Sequence, residues 1–265
     1  MDITRNQFSY QSLDVTWYAL GHGKPLIILH GWGSSSEVMM PLARRLTGIR
    51  KCVLVDLPGF GKTPEPGTSW TVSDYAGLIE SFTIQTFPEK TPDILVHSFG
   101  NRILLKLLLD ENTRLLFDKM VITGGAGLKP KRSWKFYYKT TLAKVLKAPA
   151  LLLPPNLREK ALGWIRQTAL WKSLGSSDYQ KLSGVMRETF VKSVNEHFDS
   201  RLGEIEHEML LIWGVNDTAT PLSAGKQFEK GIKNSALVTI ENAGHYAFLD
   251  QPSTFAKITK AYLEA

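Results

Sequence analysis

Two rhythms of apolar positions run along the chain. Residues 8–12 and 15–19 alternate apolar with polar around a short turn, which predicts an antiparallel hairpin. Pro25-Leu-Ile-Ile-Leu-His30 is a continuous apolar run, the mark of a strand buried on both faces. Ser34, Ser35 and Ser36 with Glu37 predict a capped helix that runs to about Leu46. Cys52-Val-Leu-Val-Asp56, Ile94-Leu-Val-His97 and Met120-Val-Ile-Thr123 repeat the buried-strand pattern, with helices predicted over 72–87 and 99–109. Strands alternating with helices predict a parallel, doubly wound sheet. From 128 to about 201 the pattern turns helical, with Trp134, Tyr137, Tyr138, Trp164 and Trp171. The strand rhythm resumes at Met209-Leu-Leu-Ile-Trp213 and Ala236-Leu-Val-Thr-Ile240, before a closing helix over 253–263. An α/β core of residues 1–127 and 202–265 is thus interrupted by a helical insertion of residues 128–201. No internal repeat or low-complexity tract breaks this picture.

Composition narrows the class. Of 265 residues, 43% are hydrophobic and 22% charged, enough for a real core and too apolar for general disorder. No apolar run approaches the roughly 20 residues of a spanning helix. The first residues, Met1-Asp2-Ile3-Thr4-Arg5, carry no apolar leader. A single cysteine, Cys52, forms no internal disulfide and no metal site by itself. The expectation is a soluble cytoplasmic protein with no metal and no cofactor. The net charge is +7, and it is uneven: residues 128–206 hold 15 Lys/Arg against 7 Asp/Glu, leaving 17 basic and 18 acidic residues elsewhere. A solvated helical face explains such an excess by default. An acidic carrier protein or an anionic surface is the partner it would suit. Nothing matches a nucleic-acid-binding motif, so no nucleic-acid partner is expected.

Reactive groups in open parallel sheets gather at the carboxyl ends of strands. Here those ends read His30-Gly-Trp-Gly33, Asp56, His97-Ser-Phe-Gly100, Gly124-Gly125, Asp217 and His245. Ser98, between a strand and an apolar helix, is the candidate nucleophile. A serine hydroxyl needs a base, a task an imidazole suits near neutral pH, and His245 is the candidate. Asp217 is the candidate for orienting that histidine. The backbone N–H groups of Phe99 and Trp32 are the candidate donors to an oxyanion. Gly100 leaves room where strand and helix pass closely, but two residues before Ser98 stands Val96 where such turns usually carry glycine. His30 and His97 are read as loop-holding hydrogen bonders, Asp56 as loop architecture and Cys52 as core. Trp134, Tyr138, Leu142 and Val145 share one helical face, with Lys131, Lys135, Lys139 and Lys144 beside it. Trp134, Tyr138 and Tyr246 are candidates for the substrate pocket.

His30-Gly-Trp-Gly33, Asp56-Leu-Pro-Gly-Phe-Gly61, His97-Ser-Phe-Gly100, Gly214-Val-Asn-Asp217 and Gly244-His245, in this order, resemble the α/β-hydrolase superfamily along the whole chain. The resemblance implies an eight-stranded, mostly parallel sheet with a helical cap between strands six and seven, supplied by residues 128–201. It also implies nucleophile Ser98, acid Asp217, base His245 and no cofactor. Serine at the nucleophile position sets the chain apart from the dehalogenase and epoxide hydrolase branches. One neighbouring group is the meta-cleavage-product hydrolases, which cut C–C bonds and commonly carry Trp where Tyr246 stands. Another is the carboxylesterase that cleaves a pimeloyl-carrier-protein methyl ester. The implied activity is hydrolysis of a small ester or activated carbonyl through an acyl-enzyme. The alternatives are C–C hydrolysis and a slow-turnover ligand-binding protein, the latter motivated by Val96.

Overall fold

The computed structural model describes residues 2–130 and 184–265, with positions 141, 148–150, 154, 157, 158, 160, 161 and 182 between them. Trp134 and Tyr138, and the face they share with Leu142 and Val145, lie outside the described residues.

The elements follow the apolar runs. In chain order they are β1 (Thr4–Tyr10), β2 (Leu13–Leu20), β3 (Pro25–Leu29), α1 (Ser36–Leu46), β4 (Lys51–Val55), α2 (Val72–Thr86), β5 (Asp93–His97), α3 (Phe99–Leu108) and β6 (Met120–Thr123). Next among the described residues come α4 (Gly184–Asn195), within the last part of 128–201, a 3-10 turn (Asp199–Glu204), β7 (Met209–Gly214), α5 (Leu222–Gly231), β8 (Ser235–Ile240), α6 (Ala247–Asp250) and α7 (Pro252–Glu264). One eight-stranded sheet has the order β1-β2-β4-β3-β5-β6-β7-β8. The β1–β2 and β2–β4 pairs are antiparallel, and the other pairs are parallel. Strand periodicity divides each buried run between two core layers. Ile27, Leu29, Val96 and Ile122 face the layer that holds α2 and α3, whereas Leu26, Ile28, Leu95 and Val121 face the one that holds α1 and α7. Among the described residues, no helix is long and apolar enough to cross a membrane.

Three local details depart from the sequence reading. The serine cluster before α1 makes no side-chain cap. Instead Asp56, from the end of β4, accepts the Ser36 N–H at 2.8 Å with one oxygen and the Lys62 N–H at 2.9 Å with the other. The closing helix begins one residue earlier than expected, at Pro252, behind the separate short helix α6. Helix α5 was not anticipated, because Ser223, Gly225 and a preceding Pro221 dilute its helical signal.

The two ends of the insertion meet. The Phe198 N–H donates to the Gly127 carbonyl at 2.9 Å, and the Lys129 N–H to Asp199 Oδ2 at 2.8 Å. The returning helix α4 lies on the core. Met186 is buried against Gly59, the Trp70 N–H donates to Thr189 Oγ1 at 3.0 Å, and Lys192 Nζ reaches the Ser69 carbonyl at 2.9 Å.

At the opposite edge of the strands an ionic cluster closes the fold. Asp93 is fully buried and sits 2.6 Å from Lys24 Nζ and 2.7 Å from Arg50 Nε, and it accepts the Lys119 N–H at 3.1 Å. Arg50 also donates to the Leu263 carbonyl, and Lys119 Nζ to the Tyr262 carbonyl, so the cluster ties four strand entrances to α7. Removing the central carboxylate strands two cations. Asp93→Ala is therefore expected to cost about 3–5 kcal/mol in urea unfolding. A loss below about 1 kcal/mol would mean that the cluster is not a structural clamp.

Candidate active site

The site forms where β3, β5, β6, β7 and β8 end. Ser98 follows β5 directly and starts α3, with φ 49° and ψ −108°. A non-glycine residue in that region is strained by roughly 1–3 kcal/mol, and its neighbours must hold it there. The Ser98 N–H donates to the Thr123 carbonyl at 3.1 Å, and its carbonyl accepts the N–H groups of Asn101 at 3.1 Å and Ala126 at 3.0 Å. Gly100 lets the helix start this close to β3: a Cβ there would lie 2.9 Å from Leu29 Cβ and 3.1 Å from the Leu29 carbonyl. Val96 is fully buried in the core layer of Phe99 and Ile103, paired with Leu29 and Ile122 on the flanking strands. Its bulk is accommodated while Ser98 keeps the left-handed φ.

Asp217, on the loop after β7, is buried, and its Oδ2 lies 2.9 Å from His245 Nδ1. A carboxylate only accepts, so Nδ1 carries the proton and Nε2 the lone pair. Asp217 Oδ1 accepts the N–H groups of Ala219 and Thr220, each at 2.8 Å. Burial alone would raise the Asp217 pKa; the His245 hydrogen bond and charge and the Thr220 contacts more than offset this and hold it below the usual aspartate value. Thr220 Oγ1 is a hub, 2.8 Å from Asp217 Oδ2, 2.9 Å from the Gly124 carbonyl and 3.2 Å from His245 Nδ1. Gly124 has φ 53°, and a Cβ there would stand 3.0 Å from His245 Nδ1. The imidazole is thus fenced on several sides. No hydrogen bond joins Ser98 Oγ to His245 among the described residues, as is common before substrate arrives.

The other histidines hold backbone. His97 is fully buried, and its Nε2–H donates to the His245 carbonyl at 3.0 Å. Burial, with the neighbouring His245 charge, pushes the His97 pKa down to about 3. His30 donates from Nδ1 to the Gly31 carbonyl at 2.7 Å and accepts the Leu57 N–H at Nε2 at 3.0 Å; burial lowers its pKa too. The loop-holding role expected for both is what the structure contains.

An aromatic wall packs against Phe99, the residue after Ser98. The Trp32 ring packs edge-on against Phe60, Phe99 and Phe190 at centroid distances of 4.9, 5.2 and 5.1 Å, the last from α4. Among the described residues, neither the Trp32 nor the Phe99 backbone N–H has a hydrogen-bond partner. Tyr246 packs in the other core layer, 4.9 Å from His97 and 5.9 Å from Phe248.

Sequence reasoning passed over Thr220. The available signal was a turn-forming aspartate whose carboxylate closes on the N–H groups two and three residues later, with a hydroxyl at the third.

Residues 24–252 match the family model for the alpha/beta hydrolase fold. The chain is 26% identical to 2-hydroxy-6-oxononadienedioate/2-hydroxy-6-oxononatrienedioate hydrolase 1 of Pseudomonas putida, over 95% of this chain and 92% of that protein. It is 22% identical to a pimeloyl-[acyl-carrier protein] methyl ester esterase of Aeromonas salmonicida, over 95% of this chain and all of that protein. An esterase from Exiguobacterium antarcticum superposes with a TM-score of 0.72 at 20% identity, over 96% of both chains, a likeness of fold.

The buried histidines set an acid limit. The unfolded chain takes up a proton at His97 near pH 6.5, which the folded chain refuses until about pH 3. That contribution is intact above pH 6.5 and is lost as pH falls toward 3, at up to about 1.4 kcal/mol per pH unit. His97→Gln, whose amide can still donate to the His245 carbonyl, is expected to flatten the fall in urea midpoint between pH 7 and pH 5. An unchanged slope would assign the acid sensitivity to other groups.

Proposed function

The chain belongs to the alpha/beta hydrolase fold family, and on that premise we propose that it is a serine hydrolase acting on a small ester or activated carbonyl. The observation that carries this reading is the Ser98 backbone at φ 49° and ψ −108°, which lifts the hydroxyl above the sheet at the start of α3.

In this reading His245 Nε2 takes the proton as Ser98 Oγ attacks the carbonyl carbon. Negative charge builds on the carbonyl oxygen, and the free N–H groups of Trp32 and Phe99 are the donors that meet it. His245 then protonates the departing alkoxide, and an acyl-enzyme ester remains. A water molecule, deprotonated by the same nitrogen, repeats the attack; the acid leaves and Ser98 regains its proton. Asp217 holds the tautomer that leaves Nε2 free and stabilises the imidazolium. Thr220 and Gly124 fix the rotation of the imidazole, so that little ordering is left for the moment of reaction. Residues 128–201 would form the cap over this site.

Similarity to the Pseudomonas putida hydrolase favours a second reading, in which the same serine and histidine cleave a C–C bond beside a ketone. Parallel assays separate the two, one with p-nitrophenyl esters and one with a 2-hydroxy-6-oxo-dienoate.

Ser98→Ala is expected to lower kcat by on the order of a millionfold, and Asp217→Asn by on the order of ten thousandfold, on whichever substrate turns over. p-Nitrophenyl ester hydrolysis by the wild type, Ser98→Ala and Asp217→Asn proteins measures both. Turnover that survives in Ser98→Ala would overturn the nucleophile assignment.

A further inference from the structure

A cavity of about 370 Å³ adjoins the site, and the chemistry above leaves it unused. Its wall includes Arg102, Ala126, Lys129, Thr220, Ala224 and Gln227. The cavity and the site share residues: the Ala126 N–H bonds to the Ser98 carbonyl at 3.0 Å, and Thr220 Oγ1 lies 3.2 Å from His245 Nδ1. Arg102 stands four residues past Ser98 on α3, about one helical turn away.

Arg102 is an incomplete group. It is 7% exposed, and among the described residues its guanidinium donates one hydrogen bond, from Nη1 to the Glu196 carbonyl. Among the described residues, its remaining N–H groups have no protein partner. The two carboxylates whose charge bears on it are engaged elsewhere. Glu196 Oε1 pairs with Lys106 Nζ at 3.0 Å, while Asp199 accepts the Lys129 N–H at 2.8 Å and Gln227 Nε2 at 2.9 Å. Burial pushes the Arg102 pKa down to about 10, against the pull of Glu196 and Asp199, so the group stays cationic at neutral pH. The N–H groups without a protein partner are not fully enclosed, so a ligand in the cavity can reach them, and a largely desolvated cation gains from an anionic partner there. The planar fork of a guanidinium matches the two oxygens of a carboxylate. The rest of the wall, with Gly125, Val194, Pro221 and Ala224, suits a short methylene chain.

The geometry points to a carboxylate subsite at Arg102, which receives the anionic tail of a substrate whose scissile carbonyl lies at Ser98. The preferred substrates are then half-esters of short dicarboxylic acids, or acyl compounds with a similar anionic end. This rests on the reading of Ser98 as nucleophile.

Two measurements separate the subsite from that reading. The first compares mono-p-nitrophenyl glutarate with the neutral p-nitrophenyl pentanoate. The wild type is expected to prefer the glutarate ester in kcat/KM by about tenfold or more. Arg102→Gln is expected to lose about 10- to 100-fold on that ester, chiefly through KM, while pentanoate stays within about twofold. Arg102→Lys keeps the stem and charge but not the fork. It is expected to raise KM for the glutarate ester about three- to tenfold, and it serves as the test should Arg102→Gln not fold. The second measurement is thermal unfolding of Ser98→Ala with glutarate or with neutral dimethyl glutarate. Glutarate alone is expected to raise Tm, and Arg102→Gln in the same background to abolish the rise. Hydrolysis without preference for the anionic ester, or an equal loss on both esters in Arg102→Gln, overturns the subsite and leaves the nucleophile reading standing. Arg102-dependent stabilisation by glutarate with no turnover of either ester keeps the carboxylate site and overturns the serine-ester reading.

Discussion

A single strained residue organises the top of the sheet. Ser98 holds φ 49° only because β5 ends beneath it, α3 begins after it, and the segment following β6 grips it from the side. Those contacts converge on one peptide: its N–H on Thr123, its carbonyl on Asn101 and Ala126. The approach of α3 to β3 at Gly100 completes the clamp. The strain is small beside the burial of the flanking apolar strands, and so it persists. Val96 fits this account. The backbone dihedral is set by the hydrogen bonds and by Gly100, and a buried valine two residues earlier becomes one more core side chain.

Strand positions and the polar residues at their ends were legible because each depends on local pattern. A parallel strand covered on both faces must be apolar throughout, so Pro25–Leu29 and Met209–Gly214 announce themselves. Ser98, Asp217 and His245 follow from the same runs, since each lies just past a strand end. Other features depend on partners distant in sequence. Asp56 caps α1 from 20 residues away, a link no local pattern marks. Arg102 reads as an ordinary polar residue of α3; its isolation appears only when the engagements of Glu196 and Asp199 are known. Thr220 stands three residues past Asp217, but a hydroxyl serving three partners emerges only once β6, β7 and β8 stand side by side.

The aromatic wall joins the carboxyl end of the sheet to the returning end of the insertion. Phe190 of α4 touches the Trp32 ring, and Met186 and Thr189 fasten the same helix to the loop between β4 and α2. Trp32 therefore links two elements: its backbone lies in the turn after β3, and its ring is packed by Phe99 of α3 and Phe190 of α4. A disturbance of α4 would be felt at that turn with no change in Ser98, Asp217 or His245.

The clasp between Gly127 and Phe198, reinforced by Lys129 and Asp199, brings the two ends of a long excursion side by side. For a chain that leaves and re-enters at one point, loop closure grows only with the logarithm of length, at about 0.6 kcal/mol for each doubling. Most of what lies beyond the clasp is thus nearly free to lengthen, shorten or be exchanged while the strand ends keep their positions. In evolutionary terms the scaffold separates the placement of the strand ends from the length of the segment between the two anchor points, and each can change without the other.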